Sequence, residues 1–259
     1  MVEERPFRSP LAPDANAGKV ALVTGGGTGI GRATARELSR TGAVVAICGR
    51  RPEPLESVRA ELAAAGADVL ALPTDVREPA EVDRLLDAVL ERFGRIDVLV
   101  NNAGGQFIAP AEGISLKGFR AVHRLNVDAV WDLTSKVAVR SMIPGGGGLV
   151  VFLGFSPRRG LPGMAHASTA RAALETLASS LSNEWSRYRI RAVCVACGLI
   201  DTEGLRGYGG EAVVREWARQ VPMGRPGRPE EVAAVIAFLA SEGGGYVTGT
   251  TVVVDGGAD

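Results

Sequence analysis

Cysteine is scarce: three in 259 residues. That excludes a disulfide framework and leads us to expect a reducing compartment, the cytoplasm. Excess charge of either sign is also missing. Lys and Arg total 29 and so do Asp and Glu, with no block of like charge, which argues against a nucleic-acid partner or an anionic membrane surface. No apolar run outlasts a strand, so neither a transmembrane span nor a signal peptide is expected. Two histidines and one Cys-x-x-Cys, Cys194 and Cys197, give no ligand set for a metal. On a strand, that odd separation sends the two thiols to opposite faces.

What is present is an ordinary globular balance, 46% hydrophobic and 22% charged, in one repeating pattern. Valine-rich runs such as "KVALVTGG" (19–26), "AVVAICG", "DVLALP", "IDVLVNN", "GLVVFLG", "RIRAVCVA" and "TTVVVDGG" read as strands buried on both faces. Between them lie helical patterns, expected over 53–65, 79–93, 115–142, 164–186, 211–219 and 229–241. Strand–helix alternation of this kind specifies an α/β fold, a single doubly wound Rossmann-type domain with a mostly or wholly parallel seven-stranded sheet. Residues 1–17, with Pro6, Pro10 and Pro13, read as a flexible arm before a domain spanning 18–259. Residues 198–228 are the longest excursion. They follow a strand's carboxyl end, where ligands bind in such sheets, and are expected to cover the substrate.

"TGGGTGIG" (24–31) joins the first strand to the first helix. Its glycines let the backbone approach a pyrophosphate whose charge the helix N-terminus favours. Thr24, Gly25, Gly27, Thr28, Gly29, Ile30 and Gly31 are therefore candidate cofactor contacts. Where an NAD site carries an acid at the end of the second strand, this chain has Gly49, Arg50 and Arg51. Two guanidiniums suit a 2′-phosphate, so NADP(H) is expected. Asp75, followed by Val76, can accept from the adenine amine, and "NNAGG" brings Asn102, Ala103 and Gly104 close to the cofactor.

These segments, with Asn126, "GLIDT" and "VTGTTVVVDGG", make 18–257 resemble the short-chain dehydrogenase/reductase family. "NNAGGQFIAPAEGISLKGFRAV" and "AHASTARAALETLASSLSNEW" most resemble its branch of peroxisomal trans-2-enoyl-CoA and 2,4-dienoyl-CoA reductases. The resemblance implies an active site of Asn, Ser, Tyr and Lys. Matched residue by residue, these positions hold Asn126, Gly154, Ala167 and Arg171. It also implies contacts from Gly198, Ile200 and Thr202, the last to the carboxamide, and a homotetramer or dimer. Cys197 stands where the family usually has proline.

Reducing a ketone needs an acid for the alkoxide, and Ala167 supplies none. Reducing an α,β-unsaturated thioester puts the charge on an enolate oxygen and the final proton on carbon, so water can provide it. The expected function is thus NADPH-dependent reduction of an activated double bond in a CoA or carrier thioester. One alternative is a non-catalytic NADP-binding regulator or inactive subunit. Another is a carbonyl reductase with a relocated acid. Arg171 keeps the positive charge and can bind the ribose, and Asn126 can hold a water or bend its helix. Ser156, Ser168, Tyr208 and His166 are candidate donors. Arg158 and Arg159 either meet coenzyme A phosphates or are solvated.

Overall fold

The computed structural model describes residues 7–157 and 160–259. The apolar runs become Val20–Thr24 (β1), Val44–Gly49 (β2), Val69–Pro73 (β3), Val98–Asn101 (β4), Gly148–Phe155 (β5), Ile190–Cys197 (β6) and Thr251–Val254 (β7). Their order in the sheet is β3-β2-β1-β4-β5-β6-β7. Every pairing is parallel. The order reverses between β1 and β4, which opens a crevice at their carboxyl ends.

The helices are Gly29–Arg40 (α1), Pro52–Ala64 (α2), Pro79–Phe93 (α3), Leu116–His123 (α4), Ala129–Val137 (α5), Ile143–Gly145 (α6), Ala165–Trp185 (α7), Glu203–Arg206 (α8), Gly210–Ala218 (α9) and Pro229–Ala240 (α10). Strand alternation sorts the core into two layers. Val20 and Leu22 face Leu85, Leu86, Leu133 and Leu174 of α3, α5 and α7. Ala21 and Val23 face Leu38, Leu55, Val58 and Ile236 of α1, α2 and α10. Each fully buried Val, Leu or Ile contributes about 1.5–3 kcal/mol, so the helices are held on both faces of the sheet. Cys194 belongs to the first layer and Cys197 to the second, the opposite faces that their odd spacing required.

Two expectations need amendment. The helix expected over 115–142 is broken into α4, α5 and α6 by π-type turns at Arg124–Asp128 and Ala138–Met142. An inserted residue hardly alters the apolar spacing, so the pattern did not reveal it. Of the arm, residues 7–17 lie against the domain. Asn16 is buried and donates to the Thr41 hydroxyl and the Ala237 carbonyl. Its polar groups are satisfied within the fold, a tie that composition does not report.

Candidate active site

A cleft of about 990 Å³ opens at the carboxyl ends of the strands. One side is made by the turn from β1 into α1. Gly25 there has φ of +65°, a conformation that glycine adopts without strain. A β-carbon on Gly31 would lie 2.2 Å from the Gly25 carbonyl oxygen, so the helix closes on its own turn only because position 31 is bare. Thr28, at the helix N-cap, makes no side-chain cap bond. The first-turn N–H groups are thereby left for an anion. This is a cradle that fits a dinucleotide pyrophosphate.

Gly25, Gly27, Thr28, Gly29, Ile30, Arg50, Arg51, Asp75, Val76, Asn102, Ala103, Gly104, Gly198, Ile200 and Thr202 all line the cleft. Thr24 and Gly31 do not; they build it from behind. Thr24 is buried, and its hydroxyl accepts from the Asn102 and Ala103 N–H groups, joining β1 to the β4 turn. Arg50 and Arg51 are exposed on the rim, and among the described residues neither is in an ion pair. Asp75 holds Arg77 through both carboxylate oxygens. That hydrogen bonding is the main reason its carboxyl is pulled down to about 2, with Arg50 adding to it. Thr202 has two duties: its oxygen accepts from Leu205 N–H, capping α8, while it faces the cleft beside Gly29.

The opposite side carries Gly154, Ala167 and Arg171. A β-carbon on Gly154 would lie 2.6 Å from the Cys194 sulfur. The thiol therefore occupies the space a serine would need. Ala167 is buried at the start of α7. One turn on, Arg171 reaches the cleft, and its Nη1 donates to the Leu153 carbonyl at 2.6 Å. No carboxylate pairs with it among the described residues, and burial pushes its pKa down from the usual guanidinium value. A β-carbon on Gly104 would meet its Nη2 at 2.1 Å, so the β4 turn approaches Arg171 through a glycine.

Asn126 is buried at the π-turn and does not line the cleft. Its Nδ2 donates to the Gly105 and Val122 carbonyls, at 2.9 and 2.8 Å, and its Oδ1 accepts from Gly105 N–H at 3.3 Å. It ties the π-turn to the cleft loop, and its amide is occupied in doing so.

The candidate donors separate. Ser156 lines the cleft, but its hydroxyl donates to Asp255. Ser168 lies outside, accepting from Leu161 N–H at 3.4 Å. His166 is fully buried against Phe107, with ring centroids 4.2 Å apart and both nitrogens without a partner among the described residues. Burial lowers its pKa, which keeps it neutral. Tyr208 lines the cleft and donates to the Gln106 carbonyl at 3.0 Å. Arg158 and Arg159 fall outside the described residues.

Sequence reading missed an apolar wall. Phe155, Ile108, Leu161, Met164, Trp217 and Val221 line the same cleft. Their only signal was their position at or after the carboxyl ends of strands, Phe155 closing β5 and Trp217 on α9 of the 198–228 segment. The three thiols are buried and unpaired, and their pKa values are pushed up to about 12. Among the described residues no cluster of His, Cys, Asp and Glu is placed to hold a metal, and no helix is long and apolar enough to cross a membrane.

A dinucleotide cradle at the switch point of a parallel sheet, facing a large apolar cleft, defines a nucleotide-dependent oxidoreductase site. Comparison with known proteins agrees. A family model described as enoyl-(acyl carrier protein) reductase matches residues 25–259. The peroxisomal 2,4-dienoyl-CoA reductase of Danio rerio, designated (3E)-enoyl-CoA-producing, is 36% identical over 253 residues, which is 95% of this chain and 83% of that protein. The solved citronellol catabolism dehydrogenase of Pseudomonas aeruginosa PAO1 is 36% identical, with a TM-score of 0.86 over 97% of this chain and 99% of its own. A 3-ketoacyl-(acyl-carrier-protein) reductase from Brucella melitensis, solved with NADH, is 28% identical, with a TM-score of 0.86 over 93% of this chain and 98% of its own. The chain belongs to the short-chain dehydrogenase/reductase family and is an oxidoreductase of that type.

Proposed function

We propose that this protein is an NADPH-dependent reductase of an activated carbon–carbon double bond, acting on an enoyl- or dienoyl-CoA-type thioester. One observation carries the reading: the cofactor cradle is complete, while Gly154 and Ala167 offer no acid for an alkoxide. When bound, the reduced nicotinamide supplies a hydride. The residues around it bind and orient. The α1 N-terminus takes the pyrophosphate, Arg50 and Arg51 take the 2′-phosphate, Asp75 the adenine amine and Thr202 the carboxamide. Arg171 binds the ribose and brings positive charge to the side where the enolate oxygen develops. Asn126 holds the 104–105 loop in place. The apolar wall takes the acyl chain and excludes water from it.

The names of the relatives support the substrate class. The absence of an acid at the end of β2, together with two arginines that enter no ion pair among the described residues, supports NADPH. We include in the proposal a homotetramer or dimer, supported by Trp131 and Val139, which are 47% and 67% exposed on the α5 side. Gel filtration or scattering showing a monomer would remove that part. Cytoplasmic placement is supported by three unpaired, buried thiols.

The test is NADPH oxidation followed at 340 nm with crotonyl-CoA, a medium-chain trans-2-enoyl-CoA, a 2,4-dienoyl-CoA and an acetoacetyl thioester. Turnover confined to the conjugated thioesters is expected. Tight NADPH binding with no turnover would overturn the reading.

A further inference from the structure

Resting on that reading of the reaction, we propose that Tyr208 is a catalytic residue: its hydroxyl donates the hydrogen bond that holds the developing enolate oxygen, in place of the phenol missing at position 167. Three local ties within residues 201–208 hold it in place. Thr202 caps α8, Asp201 pairs with Arg206 through both carboxylate oxygens, and Tyr208 N–H closes the turn on the Leu205 carbonyl. These ties aim the ring across the cleft. Its hydroxyl meets the Gln106 carbonyl, 102 positions away in the sequence, at 3.0 Å. The loop carrying Gln106 is clamped at Gly105 by Asn126 and touches Arg171 at Gly104. Tyr208 and Arg171 act on each other electrostatically. A phenol and a buried cation thus line the same cleft, linked through the 104–106 loop that Tyr208 bonds at Gln106 and Arg171 meets at Gly104.

The structure already shows this hydroxyl donating to a carbonyl oxygen. An enolate oxygen is a charged and stronger acceptor, and it replaces the Gln106 carbonyl when the substrate enters. Burial raises the phenol's pKa, so Tyr208 keeps its proton as a donor must. The electrons balance without its ionisation. A hydride adds to the terminal alkene carbon, the double-bond pairs shift onto the thioester oxygen, and that oxygen accepts from Tyr208. Collapse of the enolate takes a proton from water onto carbon. Ser156 cannot serve in the same way, because its single proton is held by Asp255.

The experiment compares the wild type with Tyr208→Phe. Steady-state rates are measured with NADPH on the conjugated thioesters and on ketones. In parallel, acetoacetyl-CoA is bound in the presence of NADP+, and its near-ultraviolet enolate absorbance is read. We expect kcat to fall about 10²-fold, KM to change little, NADPH affinity to stay within about twofold, and the bound enolate signal to drop. A tyrosine that only latched the lid would raise KM and leave the enolate signal intact, which overturns the proposal. So does a variant with wild-type kcat, while the reductase reading then stands. If the wild type reduces ketones and not thioesters, the reductase reading fails, and a preserved enolate signal with unchanged ketone kcat in the variant would sink Tyr208 as well. A wild type that neither turns over nor binds the enolate overturns both.

Discussion

At Gly31 and at Gly154 the same imagined change, one added β-carbon, meets different obstacles. At Gly31 it meets the Gly25 carbonyl at 2.2 Å; at Gly154 it meets the Cys194 sulfur at 2.6 Å. The first obstacle is backbone of the turn itself and cannot move without opening the turn. The second is a side chain on the neighbouring strand. The cofactor side of the cleft is made chiefly of backbone groups set by local sequence. The substrate side is made of side chains delivered by β5, α7 and the 198–228 segment. A family can therefore keep the first side while exchanging the chemistry on the second.

The largest expected effect breaks the cofactor side. Gly31→Ala should cost about 3 kcal/mol or more, since the Gly25 carbonyl is backbone of the turn and cannot yield, and should abolish measurable NADPH binding by fluorescence titration. On the substrate side, Gly154→Ser should cost about 1–3 kcal/mol as an overpacked site and restore no ketone reduction. Adding Cys194→Ala should recover much of the loss in a denaturant titration, because it clears the sulfur. If Gly154→Ser alone is as stable as the wild type, the assignment of that volume to Cys194 fails. A finer probe is the rim: Arg50→Ala with Arg51→Ala should weaken NADPH binding by about 10–100-fold, as expected for losing charged hydrogen bonds, while sparing NADH. Equal losses for both cofactors would mean that the arginines do not read the 2′-phosphate.

The smallest effect concerns pH. His166 is buried neutral, so its folded pKa is lower than its unfolded value of about 6.5. Above that value neither state is protonated, and the fold keeps this contribution in full. As pH falls below about 6.5, the unfolded chain binds the proton first and stability declines, until the folded pKa is passed. His166→Leu should flatten that part of the Tm–pH curve. An unchanged acid limb would show that His166 reaches solvent.

Much of this was legible beforehand. β1, its glycine turn and α1 announce themselves because local sequence fixes the strand, the turn and the helix start together. The ends of α3 were fixed by Pro79 and by Gly94, which is left-handed at φ of 75°. The π-turn at Asn126 was not legible, since one extra residue leaves the apolar face nearly intact. Nor was the tie between Asn126 and Gly105, 21 positions apart.

The sequence by itself determined the α/β class and the glycine turn between the first strand and the first helix, because these depend on periodicity and on residues a few positions apart. Only the tertiary structure decided which hydroxyls remain available. Ser156 is taken by Asp255 at a separation of 99 residues, and Tyr208 meets Gln106 at a separation of 102. Contacts of that range arise when the sheet brings the carboxyl ends of its strands together, and no local pattern encodes which side chains then meet.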